Sequence, residues 1–212
     1  MSAFNPLLPL RQADIAVHWG GQQTISLFEF TFALSAVILG LALTHIAATI
    51  HKLLLAGKRV QWAPEPVLLT CIVLLVIVSV WLAAWSGREE AAVTIGQMLL
   101  QVAKLLTLYI AAASCLPDPV GTEPIDLRGY YDRTRLLSFG SLILSLVLFR
   151  LYAITNYGLP SPMTFGLVFN MLLYPALYAS LIFVQRRWFN ILILGFIIVY
   201  YGWTVSGQQL TT

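Results

Sequence analysis

The chain has 212 residues, of which 59% are hydrophobic and only 10% charged, with a formal net charge of +3. Soluble domains carry about 25% charged residues, so there is too little polar side chain here to clothe an apolar core in water. The mean hydropathy of +0.83 points the same way. A water-soluble globular domain is therefore excluded. The basic residues sit at the ends of apolar segments, a membrane-topology signal and not a nucleic-acid footprint, and no nucleic-acid partner is expected. Two cysteines, Cys71 and Cys115, make neither a disulfide framework nor a zinc-ligand spacing.

Residues 1–24 read as an extramembrane N-terminal segment. Pro6, Pro9, Arg11, Asp14 and His18 interrupt it, and it lacks the continuous apolar core of a cleavable leader. Residues 25–206 then hold six stretches of the roughly 20 apolar residues that cross a bilayer. These fall at about 25–54, 67–86, 91–115, 136–155, 163–184 and 188–205. Ala63-Pro64-Glu65-Pro66 opens the second span and Ser86-Gly87 closes it. Leu116-Pro117-Asp118-Pro119 ends the third, because proline cannot continue a helix. Residues 116–135 form the one sizeable loop, and its second half, from Ile125 to Arg135, reads as a surface helix leading into the membrane. Gly158-Leu159-Pro160-Ser161-Pro162 parts the fourth span from the fifth. Gln185-Arg186-Arg187 joins the last two as an antiparallel hairpin. The fold class expected is all-α, a polytopic transmembrane bundle of six helices.

Orientation follows from the lysines and arginines. Lys52, Lys58, Arg59, Arg128, Arg133, Arg135, Arg186 and Arg187 occupy three alternating connections, whereas Arg11 and Arg88 alone occupy the opposite side. The three basic connections are expected in the cytoplasm and both termini outside it.

Ionisable groups inside spans are costly and are functional candidates by default. Glu29, His45, Lys104 and Arg150 qualify. Lys104 lies near the middle of the third span, and Gln97, Gln101 and Lys104 are spaced i, i+4, i+7 on one helix face, which Thr94 extends by a turn. Such a stripe lines either a polar pathway or an interhelical hydrogen-bond seam. Glu29 and Arg150 come to similar depths near the outer face, as a pair, a gate or a snorkelling arginine. His45 serves in packing or in proton relay. His45 and His51 diverge by about 120° around their helix and no other span supplies a histidine, so neither a haem nor a metal is expected and no cofactor is implied. Ala33, Ala36, Gly40, Thr44 and Ala47 make a small-residue face suited to close helix approach. Asn170 and Pro175 mark a polar position and a kink in the fifth span. Trp81, Trp85, Trp188, Trp203, Tyr200 and Tyr201 near span ends read as an aromatic belt. Ser138, Ser141 and Ser145 form a stripe better explained by hydroxyl-to-backbone bonding than by catalysis.

The segments Phe28-Glu29-Phe30, Ile38 to His45 and Asp126-Leu127-Arg128-Gly129-Tyr130-Tyr131-Asp132-Arg133 resemble a group of small bacterial multi-span membrane proteins of uncharacterised function. The resemblance implies a bacterial cytoplasmic (inner) membrane and no activity. No nucleotide-binding, metalloprotease or serine-nucleophile motif occurs. The leading expectation is a small transporter or channel with a polar pathway along the third helix. Beside it stand an accessory or assembly subunit of a larger membrane complex, or a homo-oligomer, and then a membrane-embedded enzyme.

Overall fold

The computed structural model describes residues 27–86, 94–118, 123–158 and 165–206. Among them are six helices: α1 (Leu27–Ala56), α2 (Pro64–Ser86), α3 (Ile95–Ser114), α4 (Leu127–Tyr157), α5 (Phe165–Phe183) and α6 (Arg187–Ser206). Two short strands, β1 (Val60–Gln61) and β2 (Ile125–Asp126), pair in parallel, Val60 opposite Ile125 and Gln61 opposite Asp126. They tie the α1–α2 connection to the start of α4. The extramembrane segment read over residues 1–24 lies outside the described residues.

α1, α2, α3 and α4 each carry a stretch long and apolar enough to cross a membrane, and α5 carries a shorter apolar stretch, Met171–Phe183. The protein is an α-helical membrane bundle. α1 has 30 residues and α4 has 31. At 1.5 Å per residue each is about 45 Å long, against a hydrocarbon core of about 30 Å. They therefore tilt, project beyond it, or both. α4 is long because residues 127–135, expected as part of a loop and surface helix, are continuous with the fourth span. Asp126 starts it: its carboxylate accepts from the Arg128 N–H at 3.0 Å. A Cβ at Gly129 would stand 2.6 Å from Asp126 Oδ2, so a side chain there would make the capping carboxylate shift. At the other end Gly158 adopts φ 73°, a left-handed closure glycine supplies without strain.

The buried residues of α1 are Ser35, Leu39, Ala42, Ile46, Thr49, Leu53 and Ala56, spaced alternately by four and three as in a coiled-coil seam. The small face is a different one. Ala33 and Ala47 are exposed, and a Cβ added at Gly40 would meet nothing within 4 Å. α3 and α4 form the most extensive helix pair, α5 packs chiefly on α4, and α6 chiefly on α2. The last two helices are adjacent in sequence yet touch each other little, so they splay from their turn like a wedge. Exposed Trp62 and Trp188 sit at the basic end of the bundle and exposed Trp81 and Trp203 at the other, two interfacial girdles.

Candidate functional site

The wedge encloses a cavity of about 320 Å³ between α2, α4, α5 and α6. Four tyrosines line it: Tyr174 and Tyr178 from α5, Tyr200 and Tyr201 from α6. Tyr174 packs against both of the others, with ring centroids 5.8 Å from Tyr200 and 5.7 Å from Tyr201. Ser79, Ser145 and Thr204 add hydroxyls, and Arg150 supplies the one charged side chain of the lining among the described residues. Pro175 lies inside α5 next to Tyr174. It has no N–H, so the Met171 carbonyl lacks its helical donor. Val76, Leu142 and Leu146 make apolar walls. The combination of apolar surface, convergent hydroxyls and one cation is that of a small-molecule pocket, which typically begins at about 300 Å³.

Arg150 is half-buried and makes no hydrogen bond or ion pair among the described residues. Its guanidinium cannot lose its proton, so it keeps a positive charge beside the cavity. The side chain of Glu29, its expected partner, lies outside the described residues, as does that of Asn170. Tyr200 and Tyr201, expected in an interfacial belt, are half-buried and turn to the cavity instead.

Lys104 is 6% exposed. Its ammonium lies 4.1 Å from the ring centroid of Tyr152 and 4.8 Å from that of Phe149, both on α4. Two ring faces thus stabilise the charge in place of water. Phe149 also lines the cavity, so Lys104 and the cavity share one ring. Ser145 is likewise shared, donating to the Lys104 carbonyl at 3.3 Å. Gln101 turns elsewhere: its Nε2 donates to Ser35 Oγ on α1 at 3.1 Å, while its buried Oε1 has no partner. Gln97 closes a capping box with Thr94, accepting from the Thr94 N–H at 2.7 Å. His45 sets its ring 6.3 Å from that of Tyr109 on α3. Of the candidate residues, the structure brings Arg150 to the cavity and Lys104 to its wall. Gln97, Gln101 and His45 stand apart from it. The serine stripe works as hydrogen bonding: Ser138 donates to Ser114 Oγ at 2.9 Å, and Ser141 to the Leu137 carbonyl at 2.7 Å.

A second polar group closes the narrow end of the wedge. Arg135, 7% exposed, donates from Nη2 to the carbonyls of Leu181 and Val184. It thereby caps the C-terminus of α5, where a cation and the helix dipole attract. Asn190 of α6 donates to the Val184 carbonyl at 3.0 Å and accepts from Arg135 Nη2 at 3.3 Å, the amide orientation that satisfies both neighbours. Glu65, 2% exposed in the first turn of α2, accepts from Arg187 Nε at 3.1 Å. Glu65 Oε2, Tyr131 Oη and Arg135 Nε are buried without partners. Tyr131 feels the charges of both Arg135 and Glu65. Between this group and the cavity runs a column of rings, Tyr131 on Phe139 (6.1 Å) and Phe139 on Tyr178 (6.1 Å).

Among the described residues no group of histidines, cysteines and carboxylates could hold a metal ion. No family model, curated protein or solved structure matches the chain, so a functional reading rests on this geometry.

Proposed function

We propose that the protein is a small carrier for an amphipathic organic anion and that the wedge cavity is its binding site. One observation carries this reading: a permanently charged arginine, unpaired among the described residues, lines a tyrosine-rich cavity inside a membrane bundle. Charges inside spans mark substrate routes or structural pairs, and a pair is what Arg150 lacks among those residues. An acid group would meet the guanidinium, and its apolar body would fill the space between the tyrosine rings. Lys104, behind Phe149, adds a second positive charge to the field, and on this reading the pathway runs through the wedge, one ring away from α3. The lysine and arginine count favours both termini outside the cytoplasm, and the resemblance favours a bacterial inner membrane.

The test is uptake of radiolabelled octanoate and benzoate into proteoliposomes, with binding to the purified protein followed by calorimetry. Arg150→Gln should weaken binding at least tenfold and Arg150→Lys should restore part of it. Absence of binding for the wild type across aliphatic and aromatic carboxylates overturns the reading.

A second reading, an assembly subunit or homo-oligomer, draws on the unpacked small face of α1. Among the described residues Ala33 and Ala47 are exposed and a Cβ at Gly40 would meet nothing within 4 Å, and a helix of another chain would fit closely there. Gly40→Leu should abolish association in mild detergent, measured by light scattering, if that face is an interface.

A further inference from the structure

The two ends of the cavity differ chemically. α4 runs outward from Arg135 at the narrow end of the wedge, so Arg150 stands toward the wide end. α5 runs the other way and ends beside Arg135, so Tyr178 lies one turn nearer the narrow end than Tyr174. The stretch of α4 that lines the cavity extends from Leu142 to Arg150, about 12 Å along the helix axis at 1.5 Å per residue. Val76, Val80, Leu142 and Leu146 keep the walls between these ends apolar. Tyr178 is 2% exposed, and its ring stacks on Phe139 at 6.1 Å, which fixes it as the floor. Its hydroxyl is set apart from others of the lining. Ser79, Ser145 and Thr204 donate to the carbonyls of Leu75, Lys104 and Tyr201. The hydroxyls of Tyr174 and Tyr201 pair with those of Thr204 and Ser79. Tyr178 makes no hydrogen bond among the described residues, although Tyr174 and Tyr201 stand near it. A buried hydroxyl without a partner is costly, and away from bulk water its acceptor has to come from inside the cavity.

We propose that the cavity selects carboxylates whose apolar body ends in a second oxygen, as a hydroxyl, carbonyl or ether, and that Tyr178 is the residue that selects them. The carboxylate lies at Arg150, the body spans the apolar walls, and the distal oxygen accepts a hydrogen bond from the Tyr178 hydroxyl. The inference rests on the carrier reading and narrows its substrate class from amphipathic acids to those oxygenated at the far end. A site built to hydrogen-bond a ligand oxygen rejects the analogue that lacks it, because the site's own polar group is then left unpaired. Without such a donor the order reverses: an added oxygen would give up its water for no return, and the plain acid would bind better.

The experiment compares octanoate with 8-hydroxyoctanoate on the full chain in nanodiscs, by calorimetry, with the corresponding hexanoate and decanoate pairs bracketing the length. Within a pair only the distal oxygen differs. The wild type should bind a hydroxy acid about fivefold more tightly than its parent, the scale of one hydrogen bond. A methyl ketone, 8-oxononanoate, accepts a hydrogen bond and cannot donate one, and it should share the preference over plain nonanoate. Tyr178→Phe keeps the ring on Phe139 and removes only the hydroxyl. It should erase or reverse the preference, with size exclusion confirming the fold. Equal binding within every pair, or a wild type that favours the plain acids, overturns the proposal and leaves the carrier reading standing. A preference that survives in Tyr178→Phe overturns it too, as does one confined to the hydroxy acids and absent for the ketone. If no acid of either kind binds, the carrier reading and this inference fall together.

Discussion

Glu65 Oε1 and Arg187 Nε lie 3.1 Å apart, with the carboxylate almost fully buried and the guanidinium half in solvent. Breaking such a pair costs unequally on its two sides. Removing Arg187 leaves a buried charge uncompensated, which costs about 3–5 kcal/mol for a fully buried pair. Removing the charge of Glu65 leaves a guanidinium that water already reaches. Arg187→Ala should therefore lower the midpoint of thermal unfolding in detergent by more than Glu65→Gln does. With Arg187 half exposed, a cost of about 2 kcal/mol is the reasonable scale. Equal shifts for the two variants would mean that Glu65 draws its stabilisation from elsewhere.

Much of the bundle could be read from length and punctuation. Pro64, Gly158 and the Gln185-Arg186-Arg187 turn mark helix ends because proline and glycine act locally, whatever the tertiary packing. The residues of the cavity were harder to read. Tyr200 and Tyr201 lie where an interfacial belt belongs, and span-end position alone does not say which face turns inward. Gln97 shares a face with Gln101 and Lys104 by spacing, yet Thr94-Ile95-Gly96-Gln97 is also a capping-box pattern, and at a helix start the local bonds prevail. By position Arg135 belongs to the connecting loop. Its burial depends on α5 ending beside it, a non-local event that no window of sequence contains. The two-residue strands β1 and β2 are too short to leave a periodic signal.

The aromatic seat of Lys104 makes the consequence of replacing it predictable. Cation–π contacts are worth about 0.5–2 kcal/mol each, but a buried ammonium also carries a desolvation cost that an apolar replacement escapes. Lys104→Met keeps length, and its thioether packs well on rings. It should insert, fold and melt within about 1 kcal/mol of the wild type. Lys104→Glu sets a negative charge against the negative faces of Phe149 and Tyr152 and should not yield a monodisperse protein. Size-exclusion profiles of the two variants decide the matter. An aggregated Lys104→Met would show that the ammonium holds the bundle together.

The two native cysteines should respond in opposite ways. Cys71 is exposed on α2, within a membrane-length apolar stretch, and so faces lipid. Cys115 is buried, and its thiol donates to the Ala111 carbonyl at 3.0 Å. In sealed vesicles a lipid-permeant maleimide should modify Cys71 and spare Cys115, while a charged maleimide should modify neither. Denaturation should expose Cys115. Mass spectrometry after each treatment reads both sites. Early modification of Cys115 would contradict its place in the core.

The cap of α4 permits a test in which the sign of an effect reverses. Gly129→Ala brings a Cβ to 2.6 Å from Asp126 Oδ2, so the carboxylate must shift, which disturbs the bond that its Oδ1 accepts from the Arg128 N–H at 3.0 Å. A lost N-cap costs about 1 kcal/mol, whereas alanine exceeds glycine in helix propensity by about 1 kcal/mol. In the wild-type background the two terms oppose each other, and the steric conflict tips the single variant toward lower stability. With Asp126→Ala already present there is no carboxylate to displace, and only the propensity term remains. Gly129→Ala should then stabilise. Thermal melts of the two single variants and the double variant form a complete cycle. The coupling should be about 1 kcal/mol or more, and additive effects would show that the Asp126 carboxylate does not hold position 129 to glycine.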